Sequence, residues 1–338
     1  MAVTVRQTTV NVTVGGSSID YILSLRWSTG FDLQVGEASI TCATNPSGGY
    51  YDEVVISVNG IDRWRGVLVQ RDFTLYPSQV TLVCRDPLYA AQAYVPPDEL
   101  EDGLLLDDIT GGPDTDQNIV AAVLSRAGVS NVGGIGGTST IMGTIAPEEF
   151  TWRRSESSLS YISRIDAISL GYRTYFNGNF VVRTPISVTA GSSGGTFTEG
   201  VDISRASATR TILERYTAVR VGGYDVGDFE DPRVWYEPGS GDTRVFNFES
   251  KMIEQKYSGV GDGISTEDVA AYWINELDRE LVRVQMTTPR DDLILPGRLY
   301  TIQAANRLGT TNELWSQRVD GEVTQDGAVS QSIQFIGG

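Results

Sequence analysis

The stretches RWRGVLVQRDFTLYPSQVTLVC, residues 63–84, and LWSQRVDGEVTQDGAVSQSIQF, residues 314–335, do most to predict the fold. Each begins near a tryptophan, Trp64 or Trp315, crosses a polar turn, and ends on a run in which apolar and polar residues alternate. Such alternation is typical of a strand with one buried face. Both stretches are therefore predicted to be β-hairpins. Either two unrelated hairpins converge on one pattern, or the chain contains two related barrels.

The strand pattern extends on both sides of the first hairpin. Residues 3–14, 19–27 and 37–44 alternate in the same way. Asn59-Gly60 is the dipeptide that best tolerates the positive φ angles of a two-residue hairpin turn. Short strands with turns at such close intervals are typical of a small barrel or sandwich. We predict that residues 1–94 form a first β-barrel.

A helix is predicted after an acidic, proline-bearing linker, VPPDELEDG at 95–103. Asp114 and Gln117 have the spacing of a capping box, in which two side chains bond to the backbone at a helix start. An amphipathic stripe follows and stops at Gly128, a residue typical of helix ends. The sequence predicts a short helix beginning at Asp114.

A second helix and a hairpin complete the middle of the chain. Apolar residues recur at helical spacing from Ser155 to Ser169. The runs YRTYF and NFVVRT then flank Asn177-Gly178, which predicts a strand pair. Residues 95–200 are therefore predicted to form a middle domain with two helices and a hairpin, and the fold class is α+β, mainly β.

Strands resume in the last part of the chain, beginning with RYTAVRVGGY at 215–224, and one helix interrupts them. A second capping-box pattern, from Ser265 to Asp268, opens that helix. The apolar residues predicted along its buried face are Val269, Trp273, Leu277 and Leu281. Residues 201–338 are predicted to form a second β-barrel with one packed helix. The tryptophans predicted to lie in the core are Trp64, Trp273 and Trp315.

Composition excludes several classes of function. The net charge of -17 argues against sequence-specific binding of nucleic acid, which needs clustered positive charge. An acidic surface can still line a duct for DNA, or can simply keep the protein soluble. The longest apolar run, IVAAVL at 119–124, is too short for a membrane-spanning helix, so we expect no membrane insertion. The start, MAVTVRQTTVNVTV, lacks the pattern of a signal peptide and predicts synthesis in a cytoplasm.

The sequence contains no histidine, which removes Ser-His-Asp and Cys-His catalysis and histidine metal sites. Asp114, Asp116 and Asn118 imitate the start of a calcium-binding loop, but the required glycine and glutamate are missing further on. One acidic loop could gather a hard cation, although a plain surface loop is the simpler interpretation. Its carboxylates are Asp225, Asp228, Glu230 and Asp231. We expect no cofactor.

Catalysis by carboxylates alone stays open, because glycosidases need only two such groups about 5–10 Å apart. The adjacent acidic pairs are Glu148-Glu149, Asp107-Asp108 and Asp291-Asp292. Neighbours in a strand point to opposite faces, so these pairs are better interpreted as surface groups. The two cysteines, Cys42 and Cys84, lie in strand-like runs and are interpreted as small core residues.

The order of five segments resembles the trimeric baseplate or tail-tip hub proteins of tailed bacteriophages, whose fold also forms the base of type VI secretion spikes. The segments are VTLVCRDPLYAA (80–91), TDQNIVAAVLSRAG (115–128), FTWRRSESSLSYISRIDAISLGYRTYFNGNFVVR (150–183), RYTAVRVGGY (215–224) and STEDVAAYWINELDRELVRVQMTTPRDDLILPGRLYTI (265–302). Each segment alone is weak evidence, whereas their order and spacing together make coincidence improbable.

The resemblance implies a structural virion protein without enzymatic activity. It implies a homotrimer that closes the distal tail tube and adapts six-fold tube symmetry to a three-fold tip. The implied partners are the tail tube or distal tail protein, a spike or tip protein and the tape-measure protein, while DNA passes through the channel without specific binding. Only three residues follow Phe335, so we expect no spike or lysozyme domain in this chain.

Two alternatives are retained. The protein could instead bind glycans of the cell surface, or degrade them with carboxylates. It could also be the neighbouring distal-tail ring protein, which is built on a barrel as well. A distal-tail ring protein does not explain the predicted insert of two helices and a hairpin between two barrels.

Overall fold

The computed structural model describes most of residues 8–337. The positions outside the described part are 1–7, 33, 97–102, 144–146, 187–192, 212–215, 225–232, 237–243, 255–264, 278–280, 304–307, 310–312, 325–326 and 338. Strands predominate and a few helices accompany them, which confirms the predicted α+β, mainly β, class. None of the helices in the described part is long and apolar enough to cross a membrane.

The first strand unit contains the strands β1 (Val10–Val14), β2 (Ser17–Ser18), β3 (Ile22–Gly30), β4 (Glu37–Cys42), β5 (Glu53–Val58), β6 (Ile61–Leu75) and β7 (Ser78–Arg85). Alternate residues of these strands are buried, as the sequence pattern predicts. The β5–β6 turn at Asn59 and Gly60 has φ angles of 52° and 75°, so the predicted hairpin is confirmed. Cys42 and Cys84 are free and buried in the core of this unit.

The middle segment follows. Its elements are α1 (Leu88–Ala93), α2 (Leu106–Thr110), β8 (Asp114–Thr115), α3 (Asp116–Arg126), β9 (Val132–Ile135), β10 (Ile141–Met142), a 3-10 turn (Pro147–Phe150), α4 (Ser158–Ile168), β11 (Tyr172–Phe176) and β12 (Val181–Pro185). The strands β11 and β12 pair antiparallel, which confirms the predicted hairpin across Asn177-Gly178. The strand β9 adds to β12 in parallel.

The two helices predicted in the middle segment are present, but each begins one to three residues later than predicted. The helix α3 begins at Asp116, because the carboxylate of Asp114 accepts hydrogen bonds from the Thr115 amide and the Asn118 side chain and closes no capping box with Gln117. The helix α4 begins at Ser158 and not at Ser155, because the Ser157 hydroxyl caps it by accepting from the Ser160 amide at 3.2 Å.

The remaining elements are β13 (Ser193–Phe197), β14 (Arg205–Thr211), β15 (Ala218–Tyr224), β16 (Arg233–Tyr236), β17 (Val245–Glu254), α5 (Thr266–Leu277), β18 (Leu281–Thr288), β19 (Leu299–Ile302), β20 (Glu313–Val323) and β21 (Val329–Gly337). We call β13, β14 and β18–β21 the second strand unit. The strands β15, β16 and β17 form a small separate sheet, and α5 packs on it.

The helix α5 confirms one prediction and corrects another. The Ser265 amide donates to the Asp268 carboxylate at 3.1 Å, and the Asp268 amide donates to the Ser265 hydroxyl at 3.2 Å, so the predicted capping box is present. Val269 is buried on the helix, but Leu281 is not part of it. Leu281 instead begins β18, where its backbone pairs with Thr211 of β14.

One thirteen-stranded sheet joins the two strand units. Its order is β14-β18-β21-β20-β3-β4-β7-β6-β5-β1-β2, with β13 and β19 attached beside β20. The strand β13 lies within the range predicted for the middle domain but pairs with β19 of the second unit. Within the described residues the strand pairs follow an open order, so the closure of either barrel remains a prediction. The domain limits at 94/95 and 200/201 remain predictions as well.

Candidate assembly interface

The two strand units share one strand order. In sheet order the first reads β3-β4-β7-β6-β5-β1 and the second reads β14-β18-β21-β20-β19-β13. Corresponding strands also follow one another in the same order along the chain. All these pairs are antiparallel except β13–β19, which is parallel. The shared order favours two related units over convergence of two hairpins.

A bulge fixes the equivalence residue by residue. The register of β6 against β7 shifts between Leu68 and Gln70, and that of β20 against β21 shifts between Ser316 and Arg318. Aligning the two bulges makes Val67, rather than Trp64, the structural equivalent of Trp315. Trp64 and Trp315, at the start of the two stretches, are therefore three residues out of structural register.

The units meet where β3 pairs antiparallel with β20, from Gly30 opposite Arg318 to Leu25 opposite Val323. We call this contact the sheet junction. On its inner face Trp27 lies against Gly321, where an added Cβ would stand 2.0 Å from the ring. The glycine leaves room for the indole, and the aromatic surface covers the backbone that the glycine exposes.

The outer face of the sheet junction is charged and exposed. The Arg26 guanidinium donates to the Glu322 carboxylate at 2.8 and 3.0 Å, and the Arg26 side chain is 72% exposed. Exposed pairs of this kind contribute about 0–1 kcal/mol. The apolar inner face therefore carries most of the stability of the junction, and the ion pair serves mainly to favour this register.

The β11–β12 hairpin of the middle segment touches both units. The Arg65 amide of β6 donates to the Gly178 carbonyl at 2.9 Å. The Tyr175 hydroxyl donates to the Pro296 carbonyl, between β18 and β19, at 3.4 Å. Trp64 and Phe176 meet edge to face with 6.3 Å between ring centroids. The hairpin therefore braces the two strand units against each other.

A buried charge cluster organises the middle segment. The Arg183 side chain is fully buried and bonds to the carboxylates of Asp116 and Asp166, each at 2.8 Å. It also donates to the Gly136 carbonyl at 2.7 Å. Burial raises the pKa of Asp166, and the guanidinium of Arg183 opposes that shift. The cluster ties α3, α4, β12 and the loop after β9 to one point.

Sequence reasoning missed this cluster, although a signal existed. Arg183 stands two residues after buried Val181 in an alternating strand, so its side chain points inward. Asp116, taken as part of a calcium-like string, is its partner instead, and Asp114 caps the neighbouring backbone. The described residues contain no group of three or more candidate metal ligands.

Asp86 is a second buried carboxylate, placed where β7 passes into α1. It accepts hydrogen bonds from the amides of Gly36 and Leu88 and is 1% exposed. Burial raises its pKa to about 7, while those hydrogen bonds act in the opposite direction. Asp86 thus joins the end of the first strand unit to the start of the middle segment.

The other predicted site residues occupy ordinary structural positions or lie outside the described part. Trp64 and Trp315 are 0% and 2% exposed. Trp273 is half-buried against Phe246. The acidic loop with Asp225, Asp228, Glu230 and Asp231 lies outside the described residues.

The adjacent carboxylates of the described part make separate contacts, and one pair, Asp291 and Asp292, lines a common surface cavity. Asp107 and Asp108 lie in the first turn of α2. Asp291 accepts from the Asn59 side chain at 2.6 Å, and Asp292 pairs with Arg290. Glu149 lies in the 3-10 turn, while the side chain of Glu148 lies outside the described part.

Comparison with solved structures identifies the fold. A tail protein from Neisseria meningitidis MC58 matches with a TM-score of 0.70 and 11% identity, over 98% of this chain and 96% of that one. A 43 kDa tail protein of prophage MuSo2 from Shewanella oneidensis matches with a TM-score of 0.66 and 11% identity, over 96% and 97%. No protein-family model and no curated protein matches the sequence.

A third match extends the fold beyond phages. A component of the E. coli type VI secretion system, described as structurally similar to tail proteins of bacteriophage T4, matches with a TM-score of 0.53 and 10% identity, over 96% of this chain and 76% of that one. The chain therefore has the fold of phage tail proteins that a type VI secretion component shares. The predicted resemblance to a baseplate or tail-tip hub is confirmed at the level of the fold.

Proposed function

We propose that the protein is a structural component of a phage tail, one protomer of a trimeric hub that closes the distal end of the tail tube. The repeated strand unit carries this proposal. Three copies of a chain with two related units present six similar units, which match a six-fold tube on one side and a three-fold spike or tip on the other. Symmetry adaptation is then the function, and no enzymatic step is needed.

The charge of the chain suits a channel through such a ring. At -17 per chain, the surface repels DNA and lets it pass without specific binding. The partners that follow are the tail tube or distal tail protein, the spike or tip protein and the tape-measure protein. The protein is made in the host cytoplasm and resides in the tail of the virion.

Native mass spectrometry of the purified chain, together with electron microscopy of virions, tests the proposal. We expect a mass of three chains and density for the protein around the tail axis. A monomer at all concentrations, placed away from that axis, would contradict it. The glycan-degrading alternative is tested separately: release of reducing ends from host envelope polysaccharide, abolished by one Asp or Glu substitution, would support that enzyme instead.

A further inference from the structure

The far half of β6 presents an open strand edge with two exposed apolar side chains. The strand pairs with β5 only up to Val67, whereas it pairs with β7 as far as Leu75. Along Gln70–Leu75, no strand in the described part of the chain occupies the other edge. Phe73 and Leu75 are 63% and 77% exposed, although both lie on the face that points inward elsewhere in the sheet. An exposed apolar edge of this kind is a template for a further strand.

The equivalent edge in the second strand unit is occupied. The bulge alignment makes Gln70–Leu75 equivalent to Arg318–Val323, the part of β20 that pairs with β3 in the sheet junction. Both strands also change partner at the same point, since Val67 still pairs with β5 and Trp315 still pairs with β19. The first unit thus carries the same docking edge as the second.

The strand β14 is the counterpart of β3. Leu25 and Trp27 pair with Ile40 and Ala38 of β4, and Ala206 and Ala208 pair with Met286 and Val284 of β18. These β4 and β18 partners pair in turn with residues of β7 and β21 that the bulge alignment makes equivalent. Leu25 therefore matches Ala206, and Trp27 matches Ala208. Along residues 205–209, β18 is the one described strand that pairs with β14.

The side chains on the two edges complement each other. At the sheet junction a large ring on β3, Trp27, faces a glycine on β20. At the equivalent position of the exposed edges, Phe73 on β6 takes the place of the glycine and Ala208 on β14 takes the place of the ring. Each site therefore pairs one aromatic residue with one small residue, but the aromatic residue lies on β3 at the sheet junction and on β6 at the exposed edges. Leu75 and Ala206 likewise replace Val323 and Leu25.

We propose that β14 of one copy pairs antiparallel with the far half of β6 in a second copy of this chain. The register is Asp72 opposite Thr209, Phe73 opposite Ala208, Thr74 opposite Ser207 and Leu75 opposite Ala206. One like-charge contact follows, Arg71 opposite Arg210. The Arg71 guanidinium is already held by Asn45 and Gly48, at 2.9 and 2.6 Å.

The contact is heterologous, because each copy uses a different edge toward each neighbour. Repetition of such a contact closes a ring when the rotation between copies closes, as it does in the proposed trimer. This inference rests on the proposed ring and names the surface that closes it. Every junction around the ring, within a chain or between chains, then has the same strand geometry.

Disulfide trapping tests the register. Thr74 and Ser207 are exposed on the outer face. In the double variant Thr74→Cys/Ser207→Cys their Cβ atoms would lie about 4.5–5.5 Å apart across the strand pair, whereas Thr74→Cys/Thr209→Cys sets a diagonal of about 7–8 Å. The variant Arg26→Cys/Glu322→Cys, at the sheet junction, is the matched positive control within one chain. The native cysteines are buried and stay unchanged.

We expect the first variant to give cross-linked dimers and trimers on a non-reducing gel, and the diagonal variant to give several-fold less. A mixture of the two single variants should give dimers, and neither single variant should cross-link with itself. Self-linking of Thr74→Cys, or equal yields from the two double variants, overturns the proposed register.

Native mass spectrometry of Phe73→Asp separates this inference from the proposed function. We expect the trimer to dissociate, whereas Phe180→Asp, at a half-exposed phenylalanine in the β11–β12 loop, leaves it intact. The proposed interface is overturned, and the hub stays in place, if the wild type is a trimer, Phe73→Asp leaves that trimer intact, and the cysteine variants give no register-specific cross-link. A wild-type monomer overturns both.

Discussion

The strand units and the middle segment are stabilised in different ways. Each strand unit buries alternating apolar residues, and ladders of backbone hydrogen bonds join its strands into the sheet. The middle segment has short helices, two-residue strands and a glycine-rich loop, and these meet at Arg183 with its two carboxylates. A sheet can position its own strands, whereas short elements without a shared ladder need a directional polar contact to fix their arrangement.

The largest effect is expected from emptying the core of a strand unit. Trp64→Ala and Trp315→Ala should each lower the free energy of unfolding by about 3–5 kcal/mol, because each removes a nearly fully buried indole. Trp273→Ala should cost less, because that ring is half-buried. Denaturant unfolding measures all three variants. An equal loss for Trp273→Ala would contradict the difference in burial.

The next effect belongs to the middle segment. Asp116→Asn should cost about 1.5–3 kcal/mol, because a charged hydrogen bond to buried Arg183 is replaced by a neutral one. Asp107→Asn, at an exposed carboxylate in the first turn of α2, is the control and should change stability by less than about 1 kcal/mol. Calcium should leave the Tm of the wild type unchanged. A calcium-dependent rise in Tm that Asp116→Asn abolishes would restore the metal interpretation.

A smaller effect tests whether the strand units share one sheet. Gly321→Ala should cost about 1–3 kcal/mol, because the new Cβ would collide with the Trp27 ring. In the double variant Gly321→Ala/Trp27→Leu the cost of the alanine should largely disappear, since the colliding ring is gone. Unfolding of the four proteins in this double-mutant cycle measures the coupling. Additive losses would show that the two residues do not touch.

The smallest effect is expected on the outer face of the same junction. Arg26→Ala should cost less than about 1 kcal/mol, because its ion pair with Glu322 is exposed to solvent. The difference from the wild type should shrink further in high salt, where surface charges are screened. Unfolding curves at low and high salt measure it. A loss as large as that of Gly321→Ala would mean that charge, not apolar packing, holds the junction.

Local signals in the sequence predicted the elements that depend on local contacts. The Asn59-Gly60 turn and the Ser265–Asp268 capping box are formed by neighbouring residues, so they can be predicted without knowing the fold. The helix predicted to reach Leu281 fails for the opposite reason. Leu281 pairs with Thr211, seventy positions earlier in the chain, and helical spacing contains no information about that partner.

Local sequence patterns could not predict which strand edges meet, for a similar reason. Alternation shows that β3 and β20 are strands and which face is buried, but it does not specify the neighbour of each edge. The repeat was detectable as two hairpins, yet its register depends on a bulge that leaves no clear mark in the sequence. The alternation of β12 indicates that the Arg183 side chain points inward, whereas its two carboxylate partners lie on helices elsewhere in the sequence.

The sheet junction also governs when the protein can finish folding. Arg26 and Glu322 are 296 residues apart along the chain, so β3 leaves the ribosome long before β20, the strand that pairs with its second edge. Contacts between such distant segments slow folding, and an unpaired strand edge is prone to aggregation in the meantime. The nascent first unit must keep that edge solvated until the second unit is nearly complete. A chain that ends before β20 would keep the edge open permanently.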